Sequence, residues 1–157
     1  MGTLPQLIEE DIQVLNHELK DLLQQSEASS AMVIDKAGFL ISSSGKGDDM
    51  VSIAALASGA YMATQTIANM IQEPSFNSVY HQGQKFSLLV MSIDEQCLLT
   101  VVFPAEISVG AVKYFAQSAA ESIATQLGNA RMRNPSCSMD LSVINMADTT
   151  NLFKKKE

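Results

Sequence analysis

The chain has 157 residues, a formal net charge of −7 and charged side chains at only 17% of its positions. This length fits a single domain with its own hydrophobic core. The negative charge argues against a nucleic-acid-binding protein, which would carry a basic face. So few charges favour a surface on which a partner, or a second copy of the chain, covers apolar area.

The two cysteines, Cys97 and Cys137, form neither a C-x-x-C pair nor a disulfide framework. The N-terminus reaches three acidic residues, Glu9, Glu10 and Asp11, before any apolar stretch is long enough for a signal peptide. We therefore expect a cytoplasmic protein.

Residues 4–23 predict an amphipathic helix that ends near Ser26. Pro5 suits its first turn, and polar residues fill the side opposite its apolar stripe. That stripe, at helical spacing, comprises Leu4, Ile8, Ile12, Leu15, Leu19 and Leu22.

Residues 31–41 predict a β-hairpin, because two short apolar runs flank the turn sequence Asp-Lys-Ala-Gly at 35–38. Residues 42–47 are rich in serine and glycine and predict a loop. Asp48 or Asp49 is then expected to cap the next helix and to complement its dipole.

Residues 50–72 contain no charged side chain. They are rich in alanine and far longer than a typical strand, so they predict a helix that ends before Pro74. Membrane insertion is disfavoured, because eight of these residues are polar or glycine and the flanking charges are mainly acidic.

Two interpretations of this helix stay open. A core helix would bury its large apolar residues, which are Ile53, Leu56, Ile67, Met70 and Ile71. An interface helix would present the small residues around Gly59 to another backbone, which would explain a mid-helix glycine that costs about 1 kcal/mol relative to alanine. We favour the interface, because a small-molecule pocket would need convergent polar groups that this helix lacks.

Three later segments, 76–82, 86–93 and 96–103, predict a three-stranded meander. A final helix is expected from Ser108 as N-cap to Gly128 as C-cap. The order α-β-β-α-β-β-β-α predicts an α+β domain with five strands in a single antiparallel sheet and helices packed on its faces.

We expect this domain to span residues 1–133 and residues 134–157 to form a flexible tail. The last part of the tail, Leu152-Phe153-Lys154-Lys155-Lys156, is either a docking peptide or a disordered solubilising end, and we favour the latter.

The sequence contains no legible catalytic constellation. His17 lies beside Glu18 on the first helix and His81 at a strand end, so we interpret them as a solvated and a turn residue. Zinc-ligand spacing does not occur, and residues 44–47 lack the upstream glycine of a P-loop. We therefore predict a binding protein rather than an enzyme, without cofactor or metal ion.

The element order and three stretches together resemble the Roadblock/dynein light chain family, and in particular its bacterial MglB-like subgroup. The stretches are VIDKAGFLI at 33–41, Ala63-Thr64-Gln65 in the alanine-rich helix, and VYHQGQKF at 79–86. The resemblance spans about residues 5–130. It implies a profilin-like sandwich with one helix on one face of the sheet and two on the other.

The resemblance also implies a homodimer in which the second helices lie side by side and the third strands pair. Pairing would cover an exposed sheet edge, and the strand would contribute Phe76, Ser78, Tyr80 and Gln82. The paired helices would form a platform for a Ras-like small GTPase, on which Tyr61 and Met62 would add bulk. The residues that match this platform are Leu56, Gly59, Ala60, Ala63, Thr64 and Ile67.

Members of the MglB-like subgroup stimulate GTP hydrolysis by an MglA-type GTPase in cell polarity and gliding motility. The only arginines, Arg131 and Arg133, lie outside the platform, so an arginine finger is not expected. The resemblance thus implies a dimeric regulator that positions the switch regions of the GTPase. Two alternatives stay open, a Roadblock adaptor that leaves hydrolysis unchanged and a small-ligand sensor domain.

Overall fold

The computed structural model describes residues 4–133, and within them it contains three helices and five strands. In chain order they are α1 (Glu9–Ser26), β1 (Ser30–Asp35), β2 (Leu40–Gly45), α2 (Met50–Met70), β3 (Ser78–His81), β4 (Phe86–Ser92), β5 (Cys97–Pro104) and α3 (Val109–Arg133). The predicted element order is confirmed. The predictions for the tail at 134–157, Cys137 included, lie outside the described residues.

The strands form one antiparallel sheet in the order β2-β1-β5-β4-β3. The most apolar strands, β1 and β5, lie inside the sheet, where both of their faces are covered. The serine-rich β2 and the four-residue β3 form its two edges. The resemblance assigns β3 to dimerisation, and within residues 4–133 β3 is an edge strand that pairs with β4 on one side only.

Helices cover both faces of the sheet. The helices α1 and α3 pack on one face around Leu15, Leu19 and Phe103, whereas α2 packs alone on the other face around Met32 and Leu98. Because side chains alternate along a strand, neighbouring residues of β1 and β5 enter opposite cores. The expected arrangement, with one helix on one face and two on the other, is confirmed.

A buried carboxylate joins the two helices of the first layer. Asp11 of α1 is only 1% exposed. It accepts hydrogen bonds from the backbone N–H of Ile8 at 2.9 Å, from Nε2 of Gln126 at 2.7 Å and from the Arg133 guanidinium. Burial alone would raise the pKa of Asp11, but these bonds outweigh it and hold the pKa below its ordinary value.

The predicted start of α1 near residue 4 is wrong. The helix begins at Glu9, and Pro5 precedes it rather than lying in its first turn. The bond from the Ile8 N–H to Asp11 satisfies a backbone donor that a longer helix would have paired internally. Leu4 and Leu7 still pack against the core, which explains why the apolar stripe extends beyond the helix.

The predicted loop at 42–47 is wrong in its first part, because β2 continues through three serines to Gly45. Each of these serines pairs with a residue of β1, and the Ser42 hydroxyl also donates to Oδ1 of Asn16 on α1 at 2.6 Å. Gly45 has φ +102°, and an added Cβ would lie 2.3 Å from the carbonyl oxygen of Ser29, so glycine is required there.

The predicted C-cap at Gly128 is also wrong, because α3 continues to Arg133. Tertiary contacts stabilise the additional turn: Ala130 is fully buried, Arg131 pairs with Asp94, and Arg133 pairs with Asp11. Helix-breaking propensity is weak compared with such packing.

Candidate protein-docking site

The helix α2 packs on the sheet mainly through small side chains, with Tyr61 as the one large buried residue. Its buried residues are Ala54, Ala57, Ser58, Tyr61 and Ala68. The interpretation of α2 as a core helix with buried large apolar residues is wrong, because Leu56, Ile67 and Met70 are 74%, 53% and 79% exposed. Ile71 just beyond the helix is exposed too, and Ile53 is half-buried. Small residues thus let the helix approach the sheet closely, and the large ones face outward.

The six residues assigned to the platform lie together along the side of α2 away from the sheet. Four of them are exposed and two are half-buried. We use the name α2 platform for these six, Leu56, Gly59, Ala60, Ala63, Thr64 and Ile67. A Cβ added at Gly59 would meet nothing within 4 Å, so the space above this glycine is open to another backbone.

Several exposed apolar residues near the α2 platform were not predicted from the sequence as part of this site. Val51, Met62 and Met70 are exposed on α2, and Phe39 is exposed in the nearby hairpin. Plotting the helix at 100° per residue around Gly59 would have found the first three. No sequence signal marks Phe39, because its neighbourhood depends on how the hairpin packs. Tyr61, expected to add bulk to the platform, instead faces the sheet and is buried.

The hairpin between β1 and β2 fixes the N-terminal half of α2. The Ser58 hydroxyl donates to the carbonyl oxygen of Lys36 at 2.6 Å. Gly38, with φ +98°, allows close approach, since a Cβ there would lie 3.1 Å from Cα of Ala55. Asp49 caps the helix by accepting from the N–H of Ser52 at 3.3 Å, as predicted for one of the two aspartates.

The C-terminal half of α2 is tied to the segment that leads into β3. The Tyr61 hydroxyl and Nε2 of Gln65 both donate to the carbonyl oxygen of Phe76, at 3.1 Å and 2.9 Å. The position of the edge strand therefore depends directly on the position of the helix.

The strand assigned to dimerisation is shorter than predicted. Ser78 and Tyr80 lie in β3, but Phe76 and Gln82 lie outside it. The ring of Tyr80 stacks on Phe103 with centroids 6.2 Å apart, on the sheet face that α1 and α3 cover. A strand added along β3 would pair with the backbone N–H and C=O groups of this edge.

Cationic groups are absent from the α2 platform. Both arginines lie at the end of α3, where Arg131 contacts Oδ2 of Asp94 at 2.8 Å and Arg133 contacts Asp11. His17 is exposed beside Asp21, and burial raises the pKa of the Cys97 thiol to about 12. No group of three or more potential metal ligands occurs within residues 4–133.

By length and composition alone, α2 could cross a membrane, and it is the one such helix among the described residues. A helix packed in a domain passes the same test. Here Ser58, Tyr61 and Gln65 bond to the hairpin and to the segment before β3. These hydrogen bonds show that α2 packs against the sheet of its own domain, and its opposite side is apolar and exposed.

A separate surface cleft of about 680 Å³ lies at the end of the sheet where β1 begins and β2 ends, next to Ile53 of α2. Its lining is mainly apolar and includes Ile53, Phe86 and Val102, with Lys46 as its one charged side chain. It offers few polar groups that could orient a small ligand.

Comparison with known proteins agrees with this geometry. The Roadblock/LC7 domain model matches residues 15–103, more than half of the chain. No curated protein sequence matches. Among solved structures, one described as MglB with tetrameric arrangement is 27% identical, with a TM-score of 0.77, and the match covers 83% of this chain and 99% of that one.

Two further structures are similar to a comparable degree. The gliding protein MglB from Thermus thermophilus is 26% identical, with 82% of this chain and 99% of that one covered and a TM-score of 0.75. Myxococcus xanthus MglB is 27% identical, with coverages of 80% and 96% and a TM-score of 0.73. On the strength of the domain match, supported by these neighbours, the chain belongs to the Roadblock/LC7 family.

Proposed function

We propose that this protein is a cytoplasmic, homodimeric regulator of a Ras-like small GTPase of the MglA type, acting in cell polarity or motility. The observation that carries the proposal is the outward side of α2, which combines exposed Leu56, Met62 and Ile67 with no charged residue. A patch of this kind on an otherwise acidic domain is typical of a protein-docking surface.

Self-association is supported by the edge strand. β3 pairs with β4 on one side only, and the two α2 side chains on the Phe76 carbonyl hold it beside the docking helix. Two copies joined along β3 would bring two α2 helices to one face of a continuous sheet. The tetrameric arrangement in the description of one MglB structure also fits an assembly of several copies.

Stimulation of hydrolysis would use no group of this protein as a catalyst. An arginine finger contributes about 10³–10⁵ in rate where one is present, but here both arginines are engaged in ion pairs, with Asp94 and Asp11, and neither lies on the α2 platform. The α2 platform can instead hold the switch segments of the GTPase in the arrangement that orients the attacking water. The gliding protein MglB among the similar structures supports a role in motility.

The decisive experiment measures GTP turnover by the small GTPase of the same organism with and without this protein. We expect the wild-type protein to accelerate GTP turnover. The Ala63→Arg variant should not accelerate it, because the substitution adds bulk and charge to the α2 platform. Ala111→Arg is the matched control, because Ala111 is an exposed helical alanine of α3 on the other side of the sheet.

Each other outcome contradicts part of the proposal. Tight binding without a change in turnover would support the adaptor alternative, and equal effects of the two arginine variants would place the docking surface elsewhere. Absence of binding to any small GTPase, with a small molecule retained in the 680 Å³ cleft, would support the ligand-sensor alternative.

A further inference from the structure

The helix α2 covers only part of its face of the sheet. Met32 is fully buried beneath it, whereas Val102 on the same face is half-buried and Phe86 is 56% exposed. Phe86 and Val102 line the 680 Å³ cleft from the sheet, and Ile53 lines it from α2. The cleft is therefore an uncovered part of the sheet face with the helix along one side.

The polar groups of this cleft lie at one end of it. Ser30 of β1 pairs in register with Gly45 of β2, and the N–H of the next residue, Lys46, donates to the carbonyl oxygen of Ser29 at 3.0 Å. Ser30 and Lys46 therefore both lie where β1 begins and β2 ends. Phe86 lies on β4, two strands away from β1, which corresponds to about 10 Å. The lining thus changes from polar to apolar across the sheet.

The hydroxyl of Ser30 is buried without a partner. Ser30 is only 4% exposed, and its Oγ has no hydrogen-bond partner among residues 4–133. This atom lies toward the cleft, because a Cβ added at Gly47, another lining residue, would be 3.9 Å from it. An unpaired buried hydroxyl is unfavourable, and an oxygen atom of a bound ligand would satisfy it.

The charge of the lining differs from that of the whole protein. The chain has a net charge of −7, but the lining contains no carboxylate, and its one charged side chain is Lys46. Lys46 is exposed and forms no ion pair with any residue of 4–133. An anionic group is therefore favoured at the polar end of the cleft.

We propose that the 680 Å³ cleft binds a fatty acid, a single-chain amphiphile with an anionic head group. Its carboxylate accepts a hydrogen bond from Oγ of Ser30 and pairs with Lys46, and its alkyl chain lies on Val102 and Phe86 beside Ile53. Such a ligand needs few polar groups, because burial of the chain supplies the affinity and the head group sets the orientation. This proposal goes beyond the regulatory function proposed above and does not depend on it.

Titration of the full chain with dodecanoate, kept below its micellar concentration, tests the proposal. We expect one molecule bound per chain, with NMR shift changes at the methyl groups of Ile53 and Val102 and none at Ile123, which is buried on the opposite face. Decanoate, with two fewer CH₂ groups, should bind about tenfold more weakly. Equal binding of the cation dodecyltrimethylammonium, or shift changes spread over both faces, would overturn the proposal.

Matched variants separate the polar end of the cleft from its apolar end. Lys46→Gln should weaken decanoate binding about tenfold without changing decanol binding, whereas Lys36→Gln, at the other end of β1, should change neither. Ser30→Ala should weaken decanoate binding about fivefold. Phe86→Ser should weaken binding of both ligands, and Phe39→Ser, which also removes an exposed phenylalanine, should weaken neither. Equal effects within the lysine pair or within the phenylalanine pair would overturn the assignment of the site.

Two other occupants of the cleft would give different results. If a second copy of the chain fills it, Phe86→Ser should change the oligomeric state in analytical ultracentrifugation, and dodecanoate should not bind. If the cleft docks on a membrane, the protein should co-sediment with phosphatidylglycerol vesicles, while monomeric dodecanoate causes no shift changes. Either result would overturn the proposal. None of these measurements involves a GTPase, so failure of the function proposed above would leave their outcome unaffected.

Discussion

The helix layers on the two faces of the sheet use their side chains in opposite ways. In the α1/α3 layer, large residues such as Leu15, Leu19 and Ile123 face the sheet and are fully buried. In the α2 layer, three alanines, a serine and Tyr61 face the sheet, whereas Leu56, Ile67 and Met70 face outward. Both helices of the first layer are also joined by a buried carboxylate, and α2 has no equivalent.

This contrast separates two roles of apolar residues. The first layer forms the larger core, and its polar ties fix the ends of its helices. The second layer holds α2 close to the sheet through small contacts and hydrogen bonds to the hairpin, and it leaves its large side chains uncovered. The large exposed apolar residues of α2 are therefore candidates for a docking surface, whereas the apolar residues buried on α1 serve packing.

Paired leucine substitutions test this contrast with the largest expected effect. Leu19→Ala should lower the free energy of unfolding by about 3 kcal/mol, because it leaves a cavity in the core. Leu56→Ala should change it by less than about 0.5 kcal/mol, because the side chain is exposed. Urea denaturation measures both. A loss for Leu56→Ala that grows with protein concentration would place this leucine in a contact between copies.

The buried carboxylate of the first layer gives the next effect. Asp11→Ala should lower the free energy of unfolding by about 2 kcal/mol, because three partners lose a charged acceptor. Glu10→Gln, an exposed neighbour in the same turn, is the control and should be nearly neutral. Equal loss in both variants would refute the role assigned to the buried carboxylate.

The same group predicts an acid dependence. The pKa of Asp11 is lower in the folded state than its ordinary value of 3.8, so the unfolded chain binds more protons between these two values. The contribution of Asp11 is complete above the ordinary pKa and is lost as the pH falls through the folded one. Stability measured from pH 5 to pH 2 should fall more steeply in the wild type than in Asp11→Asn.

A buried hydroxyl beneath α2 offers a smaller, stabilising change. Thr100 is fully buried, its neighbours in register are Met32 and Val90, and its hydroxyl has no hydrogen-bond partner among residues 4–133. Thr100→Val keeps the shape and removes the unpaired group, so it should raise the free energy of unfolding by about 1 kcal/mol. A loss of stability in thermal denaturation would show that the hydroxyl is satisfied after all.

Two helical glycines give the finest comparison. A Cβ at Gly59 or at Gly128 would meet nothing within 4 Å, so either alanine substitution should stabilise the monomer by about 0.5–1 kcal/mol. Only Gly59→Ala should weaken partner binding, because only this glycine lies on the α2 platform. Equal binding by the two variants, measured by calorimetry, would mean that no backbone approaches Gly59.

Much of the fold follows from the sequence, because element order depends on strong local patterns. The hairpin turn, the uncharged helix and the meander were each identified from composition and periodicity. The first and last residues of α1, β2 and α3 could not be identified in this way, because they depend on contacts with distant residues such as Asn16 and Asp94. A glycine or a serine weakens an element locally, but tertiary contacts can extend it.

The docking site was predictable only in part. The lack of charge on α2 and the helical spacing of its small residues indicated an interface, and the resemblance assigned the same residues to a platform for a GTPase. The division of α2 into a sheet side and an outer side was not predictable from residue size, because both sides are apolar. Tyr61 illustrates the difficulty: its ring is buried under the helix, where its hydroxyl donates to the carbonyl oxygen of Phe76, a partner that residue size does not reveal.

The Phe76 carbonyl has a thermodynamic consequence beyond geometry. Tyr61 and Gln65 hold it from one helix, so a displacement of α2 shifts the start of β3 as well. If a partner binds on the helix and a second copy pairs along the strand, as proposed, the two events are coupled through this carbonyl. Linkage is reciprocal, so whatever free energy a partner on α2 adds to strand pairing, strand pairing returns to the partner in equal measure.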